Sequence, residues 1–334
     1  MGKLQELLAE RPYLLADGAT GTVLMARGLQ QGDPPEGWNI ERGDDIRAMH
    51  REYIEAGSDI ILTNSFGGSS FRLKLHRLEN RVRELNRAAA ELARAEADKA
   101  TRPVIVAGDI GPSGEILEPL GSLTLEEARA GFKEQMQALV EGGVDCIWIE
   151  TMSALNELEA AIGAAQELAQ DANKDIDVVV TLTFDTNGRT MMGVSPEEAM
   201  DWLGQFPLTA VGGNCGNGVE ELQIVVQKLY NYNQNLPIVA KSNAGIPEFV
   251  DGAIRYSAGE EEMAAYAVTV ANMGARVIGG CCGSSPAMIK AMAEALANTS
   301  LQSPQVTATP VSAQTPANDQ RRRRGSRRAR GTSS

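Results

Sequence analysis

Val277-Ile278-Gly279-Gly280-Cys281-Cys282-Gly283 reads as a short apolar run that stops abruptly in glycine and paired cysteine. A run without polar alternation fits a parallel strand covered on both faces. Seven more runs follow the same pattern, at residues 13–16, 60–63, 104–107, 146–149, 178–182, 210–213 and 238–240. Amphipathic stretches lie between them, at residues 45–56, 80–99, 125–142, 153–171, 195–203, 219–231, 260–273 and 286–298. Thr124 followed by Glu127 is a capping box that fixes the start of one of these helices. Eight strand–helix repeats in about 290 residues favour an α/β fold of the closed (β/α)8 type, a TIM barrel, over an open sheet.

The 334 residues are 43% hydrophobic and 22% charged, enough for a large core. No apolar run reaches the ~18 residues of a membrane span. Residues 1–15 lack the basic and then apolar pattern of a secretory signal, so a cytoplasmic enzyme is expected. Four cysteines are too few for a disulfide scaffold of this size. Two histidines, His50 and His76, argue against a multi-histidine metal site, and neither lies at an expected strand end for Ser/His/Asp hydrolysis.

The net charge of −13 is unevenly spread. Residues 299–334 contain seven arginines and one acid, Asp319, and otherwise read as a proline-bearing polar segment. Such a segment buries too little to order itself, so a disordered Arg-rich tail is expected after a single barrel domain at residues 1–298. The acidic barrel argues against a nucleic-acid face on the folded part. The tail leaves one reading from another class open, a scaffold with an RNA- or protein-binding arm.

In a barrel of this kind, catalytic groups sit just after the strand ends. The unusual residues are there: Asp17-Gly18-Ala19, Asn64-Ser65-Phe66, Gly108-Asp109, Glu150-Thr151, Asn214-Cys215, Lys241-Ser242-Asn243 and Cys281-Cys282. Cys215, Cys281 and Cys282 are the strongest signal. Adjacent cysteines rarely bridge each other, but both can reach one ion if glycine lets the backbone turn. Three thiolates suit Zn²⁺ with one open position. The alternative, small core residues in tight turns, stays open on the residues alone. Cys146, in mid-run, reads as core. A zinc already carrying three thiolates activates water poorly but binds a further thiol well, which points to alkyl transfer.

DGATGT at residues 17–22, GDIGP at 108–112, GNC at 213–215 and GGCCG at 279–283 resemble the homocysteine S-methyltransferase family over about residues 12–297. That family includes betaine-dependent and S-methylmethionine-dependent enzymes and the homocysteine module of cobalamin-dependent methionine synthase. The resemblance implies the barrel, zinc on Cys215, Cys281 and Cys282, homocysteine as acceptor and methionine as product. It implies that Asp17 and Glu150 grip the substrate ammonium. Backbone groups near Gly18, Ala19 and Gly283 would take its carboxylate, and Asn214 would orient the cysteine loop.

The 36-residue tail is too short for a cobalamin or folate module, so the expected donor is a small onium compound. Glycine betaine comes first, with S-methylmethionine or dimethylsulfoniopropionate as alternatives. Trp38 and Phe66 are the aromatic residues expected at the onium group through cation–π attraction. The animal betaine enzymes carry an aromatic residue where this chain has Thr151, and another where it has Gly67. Nothing in the sequence chooses between a monomer and a homo-oligomer.

Overall fold

Each expected apolar run forms a strand in the computed structural model, which describes residues 2–250 and 253–304. The strands are β1 (Leu14–Leu15), β2 (Ile60–Leu62), β3 (Ile105–Ile110), β4 (Cys146–Met152), β5 (Asp177–Leu182), β6 (Ala210–Cys215), β7 (Ile238–Ser242) and β10 (Ala275–Gly280). A hairpin, β8 (Pro247–Val250) and β9 (Ala253–Tyr256), stands apart from them. The eight barrel strands pair in parallel in the order β1-β10-β7-β6-β5-β4-β3-β2. A parallel bridge between Ala16 and Ile60 joins the two ends, with the Asp17 N–H donating to the Ile60 carbonyl at 3.0 Å. The fold is therefore the expected TIM barrel. Residues 305–334, most of the tail expected to be disordered, lie outside the described residues.

The helices match expectation to within about two residues, an ordinary uncertainty at helix ends. The Thr124–Glu127 capping box is formed in full, and Ser195 with Glu198 makes a second one.

Strand alternation decides what faces inward. Leu14, Ile60, Ile105, Cys146, Val179, Ala210, Val239 and Val277 fill the barrel interior in one apolar cluster. The intervening residues, among them Ile61, Val106, Ile147, Val180, Val211 and Ile278, pack outward under the helices. Two or four residues further along each strand the inner line turns polar, from Ile105 to Asp109, Cys146 to Glu150, Val239 to Lys241 and Ala210 to Asn214. An apolar floor thus supports a polar layer at the C-terminal end. Gly212 lets β6 lie close against β7: a side chain there would run into the Val239 carbonyl oxygen.

Besides the hairpin and a few short helical turns, one longer element is additional to the sequence expectation. The helix Lys3–Glu10 sends Leu4, Leu7 and Leu8 into the interior cluster and closes the N-terminal end of the barrel. Asp177 at the start of β5 accepts from the Leu4 N–H at 3.0 Å and fixes that helix. No helix among the described residues is long and apolar enough to cross a membrane.

Candidate metal centre and amino-acid pocket

Cys215 ends β6, and Cys281 and Cys282 follow β10 directly. Their three Sγ atoms lie within 4.8 Å of one another, with Cys215 and Cys281 at 2.8 Å. The backbone is shaped to achieve this. Cys215 takes a left-handed φ of 58°, and Gly283 takes a φ of 81°. A side chain at Gly283 would place its Cβ 2.3 Å from the Tyr256 ring, whose hydroxyl hydrogen-bonds Cys282. Asn243 ties the two loops together: its Oδ1 accepts from the Cys282 N–H at 3.0 Å, and its Nδ2 donates to the Gly216 carbonyl at 2.8 Å.

As free thiols the trio is electrostatically strained. Hydrogen bonding to Cys281 and Cys282, together with burial, pushes Cys215 well above the usual thiol range. Cys282, accepting from both neighbours and from Tyr256, is pulled far below it. A soft cation would replace these shared protons, and three sulfurs in one compass, one buried and two half-buried, fit a tetrahedral, thiolate-preferring ion.

Asn214, 1% exposed, borders the cluster. Its Oδ1 accepts from the Thr151 N–H at 2.9 Å and the Thr181 hydroxyl at 2.7 Å. Its Nδ2 donates to the Thr151 hydroxyl at 2.7 Å and points at the sulfurs of Cys215 and Cys281, at 3.6 and 3.9 Å. Thr151 has a φ of 63°, a conformation that costs a β-branched residue about 1–3 kcal/mol.

Beside the sulfurs lies an acidic layer. Asp17, Asp109, Glu150 and Lys241 are between 2% and 7% exposed. Lys241 reaches from β7 to Asp17, with Nζ to Oδ1 at 3.2 Å, and the other Asp17 oxygen accepts from the Leu62 N–H at 2.7 Å. Asp109 Oδ1 and Glu150 Oε2 are buried without a partner. Burial pushes Glu150 up to about 8 against the pull of Lys241. Burial, with the charge of Glu150 added, pushes Asp109 well above the carboxylate range. Burial alone would lower Lys241, but Asp17 and Glu150 outweigh it and keep it cationic. Three carboxyl groups thus face one ammonium, and two carboxyl oxygens remain unsatisfied. An α-ammonium placed there would donate to these oxygens and favour the ionised carboxylates.

The structure brings Asp17, Glu150, Asn214 and the three cysteines together, but it alters some roles. Asp17 is already engaged with Lys241. The Ala19 N–H donates to the Ser284 carbonyl at 3.0 Å, so that group is committed within the protein. Gly18 lets the first loop approach the last, since a Cβ there would lie 2.6 Å from the Ser284 oxygen. Trp38 is 7% exposed in the outer core, with the Arg42 guanidinium 4.0 Å over its ring. Phe66 is 37% exposed and lies against Gly111 on the neighbouring loop. Lys241, Asp109 and Asn243, noted in the sequence only as unusual strand-end residues, and Tyr256, not noted at all, also border the site. Lys241 carried a signal, a charge directly after an apolar run.

Residues 14–296 match the family model described as homocysteine S-methyltransferase. Methionine synthase of Mycobacterium tuberculosis is 31% identical over 305 residues, covering 88% of this chain and 25% of that protein. The Mycobacterium leprae enzyme is 31% identical over 306 residues with the same coverage. The chain thus spans about a quarter of the length of these curated relatives. The metallated homocysteine methyltransferase MmuM of Escherichia coli superposes with a TM-score of 0.71 at 27% identity, over 87% of this chain and 99% of that one. This chain belongs to the homocysteine S-methyltransferase family.

Proposed function

We propose that the protein transfers a methyl group from a small onium donor, glycine betaine first among them, to the sulfur of homocysteine, giving methionine. Cys215, Cys281 and Cys282 would hold zinc. The observation supporting this most is the convergence of three Sγ atoms within 4.8 Å beside buried carboxyl oxygens that lack a hydrogen-bond partner. When bound, zinc supplies a fourth position that takes a thiol in its thiolate form at neutral pH.

The chain's own residues do the rest. Glu150, with Asp17 and Lys241 beside it, holds the α-ammonium and so fixes the reach of the substrate side chain toward the cysteines. The sulfur lone pair forms the new S–C bond in line, and the breaking bond leaves its electron pair on the donor nitrogen or sulfur. With zinc in place the thiol proton would be released to solvent as the substrate bound, so no general base would be needed at carbon. Phe66 is the aromatic face available to the onium group.

A sulfonium donor, S-methylmethionine or dimethylsulfoniopropionate, is the second reading. Trp38, buried with Arg42 over its ring, leaves Phe66 as the one expected aromatic face, which suits a compact dimethylsulfonium head at least as well as a three-methyl ammonium cage. Zinc-loaded protein, homocysteine and deuterated-methyl glycine betaine, followed by mass spectrometry, should yield labelled methionine. Label only from a sulfonium donor selects the second reading. Loss of zinc in Cys281→Ser together with loss of transfer supports the metal assignment. No transfer from any onium donor, with homocysteine still bound, overturns the donor class.

A further inference from the structure

We propose that Asn214 and Thr151 form a positioning pair that couples the amino-acid pocket to the cysteine cluster, so that metal at the cysteines tightens the grip on the substrate's amino-acid end. The inference rests on the homocysteine and zinc reading above, and it assigns to Thr151 a task unrelated to the donor.

The geometry is direct. Thr151 follows Glu150, the carboxylate with an unpartnered buried oxygen. Cys215 follows Asn214. Both Thr151 and Cys215 are held in left-handed backbone, on strands β4 and β6. Between them the Asn214 amide is fully used. One face locks the Thr151 N–H and hydroxyl, and the remaining N–H leans on the sulfurs of Cys215 and Cys281. Thr181 from β5 accepts no alternative position for this amide, because its hydroxyl donates to the same Oδ1.

An N–H directed at sulfur is strengthened when that sulfur becomes a metal-held thiolate, since a charged acceptor makes the stronger hydrogen bond. Ordering the sulfurs therefore orders Asn214. Asn214 in turn holds Thr151 in its unfavourable conformation, and that conformation aims Glu150. Linkage makes the effect reciprocal: an amino acid held at Glu150 should tighten metal binding by the same factor.

The test uses L-2-aminobutanoate, which has the homocysteine backbone but no sulfur and so makes no bond to zinc. Its affinity is measured by calorimetry on the full reduced chain, metal-free and zinc-loaded. Wild type should bind it at least about fivefold tighter with zinc, the lower end of ordinary coupling. Thr151→Val keeps the branched shape and loses the hydroxyl, and Asn214→Ala removes the amide. Both should fold, take up zinc, and show a ratio near one. Thr151→Ser should restore the wild-type ratio, which a merely structural role would not require.

Should Asn214→Ala fail to fold, the Thr151 variants decide the matter. A wild-type ratio near one, with zinc bound and homocysteine methylated, overturns the coupling and leaves the function standing. An unchanged fivefold ratio in Thr151→Val also overturns it. If wild type takes up no zinc and makes no methionine, the function reading fails, and the coupling with it.

Discussion

His50 lies on the helix Gly43–Glu55, fully buried, with neither ring nitrogen hydrogen-bonded. Burial pulls its pKa down to about 4, from an ordinary value of 6.5. The sign follows from linkage. Below pH 6.5 the unfolded chain takes up a proton that the folded chain refuses, so stability present above that pH is lost as pH falls toward 4. At about 1.36 kcal/mol per pKa unit, the loss is about 2 kcal/mol by pH 5 and about 3 kcal/mol by pH 4. Other groups add their own acid sensitivity, but they add it equally to a variant without this ring. His50→Leu should therefore gain stability relative to wild type by about those amounts as pH falls from 7 to 5 and then 4. Urea unfolding of both proteins at the three pH values, with the slopes checked for constancy, measures the difference. A difference that stays flat within about 0.5 kcal/mol from pH 7 to pH 4 would refute the buried, uncharged imidazole.

Two further outcomes follow from the site. Lys241→Met leaves Asp17 buried and unpaired and should cost about 3–5 kcal/mol, while adding Asp17→Asn should recover at least half of it, as urea midpoints would show. Additive losses in that double-mutant cycle contradict the ion pair. Gly283→Ala forces a side chain into Tyr256 at a left-handed φ, so zinc affinity should fall at least about tenfold by chelator competition with the fold intact. An unchanged affinity removes Tyr256 and this turn from the metal centre.

The barrel was legible because strands buried on both faces are written as plain apolar runs, and each such run here ends in glycine or a polar residue. The cysteines were legible for a related reason: reactive side chains at a strand end have little structural purpose. The N-terminal helix was harder to see. Its leucines at 4, 7 and 8 have helical spacing, but eight residues with exposed charges also describe a surface helix. Their burial depends on the open barrel end, which exists only once the strands have closed.

The hairpin after β7 was hidden inside a long strand-to-helix connection. Lys241 was visible as a charge, but its reach to Asp17 crosses the intervening strand β10, and sequence order does not encode such a reach. Trp38 shows the opposite failure. An aromatic residue in an expected loop suggests a ligand, yet here Trp38 opens a short helix, Trp38–Glu41, which buries the indole with Arg42 over its ring.

X-ray absorption at the zinc edge, on the zinc-loaded chain before and after homocysteine, tests the central claim most directly. Three sulfurs at ~2.3 Å with one lighter ligand should become four sulfurs when homocysteine is added. Fewer than three protein sulfurs, or a sulfur count that homocysteine leaves unchanged, would contradict it.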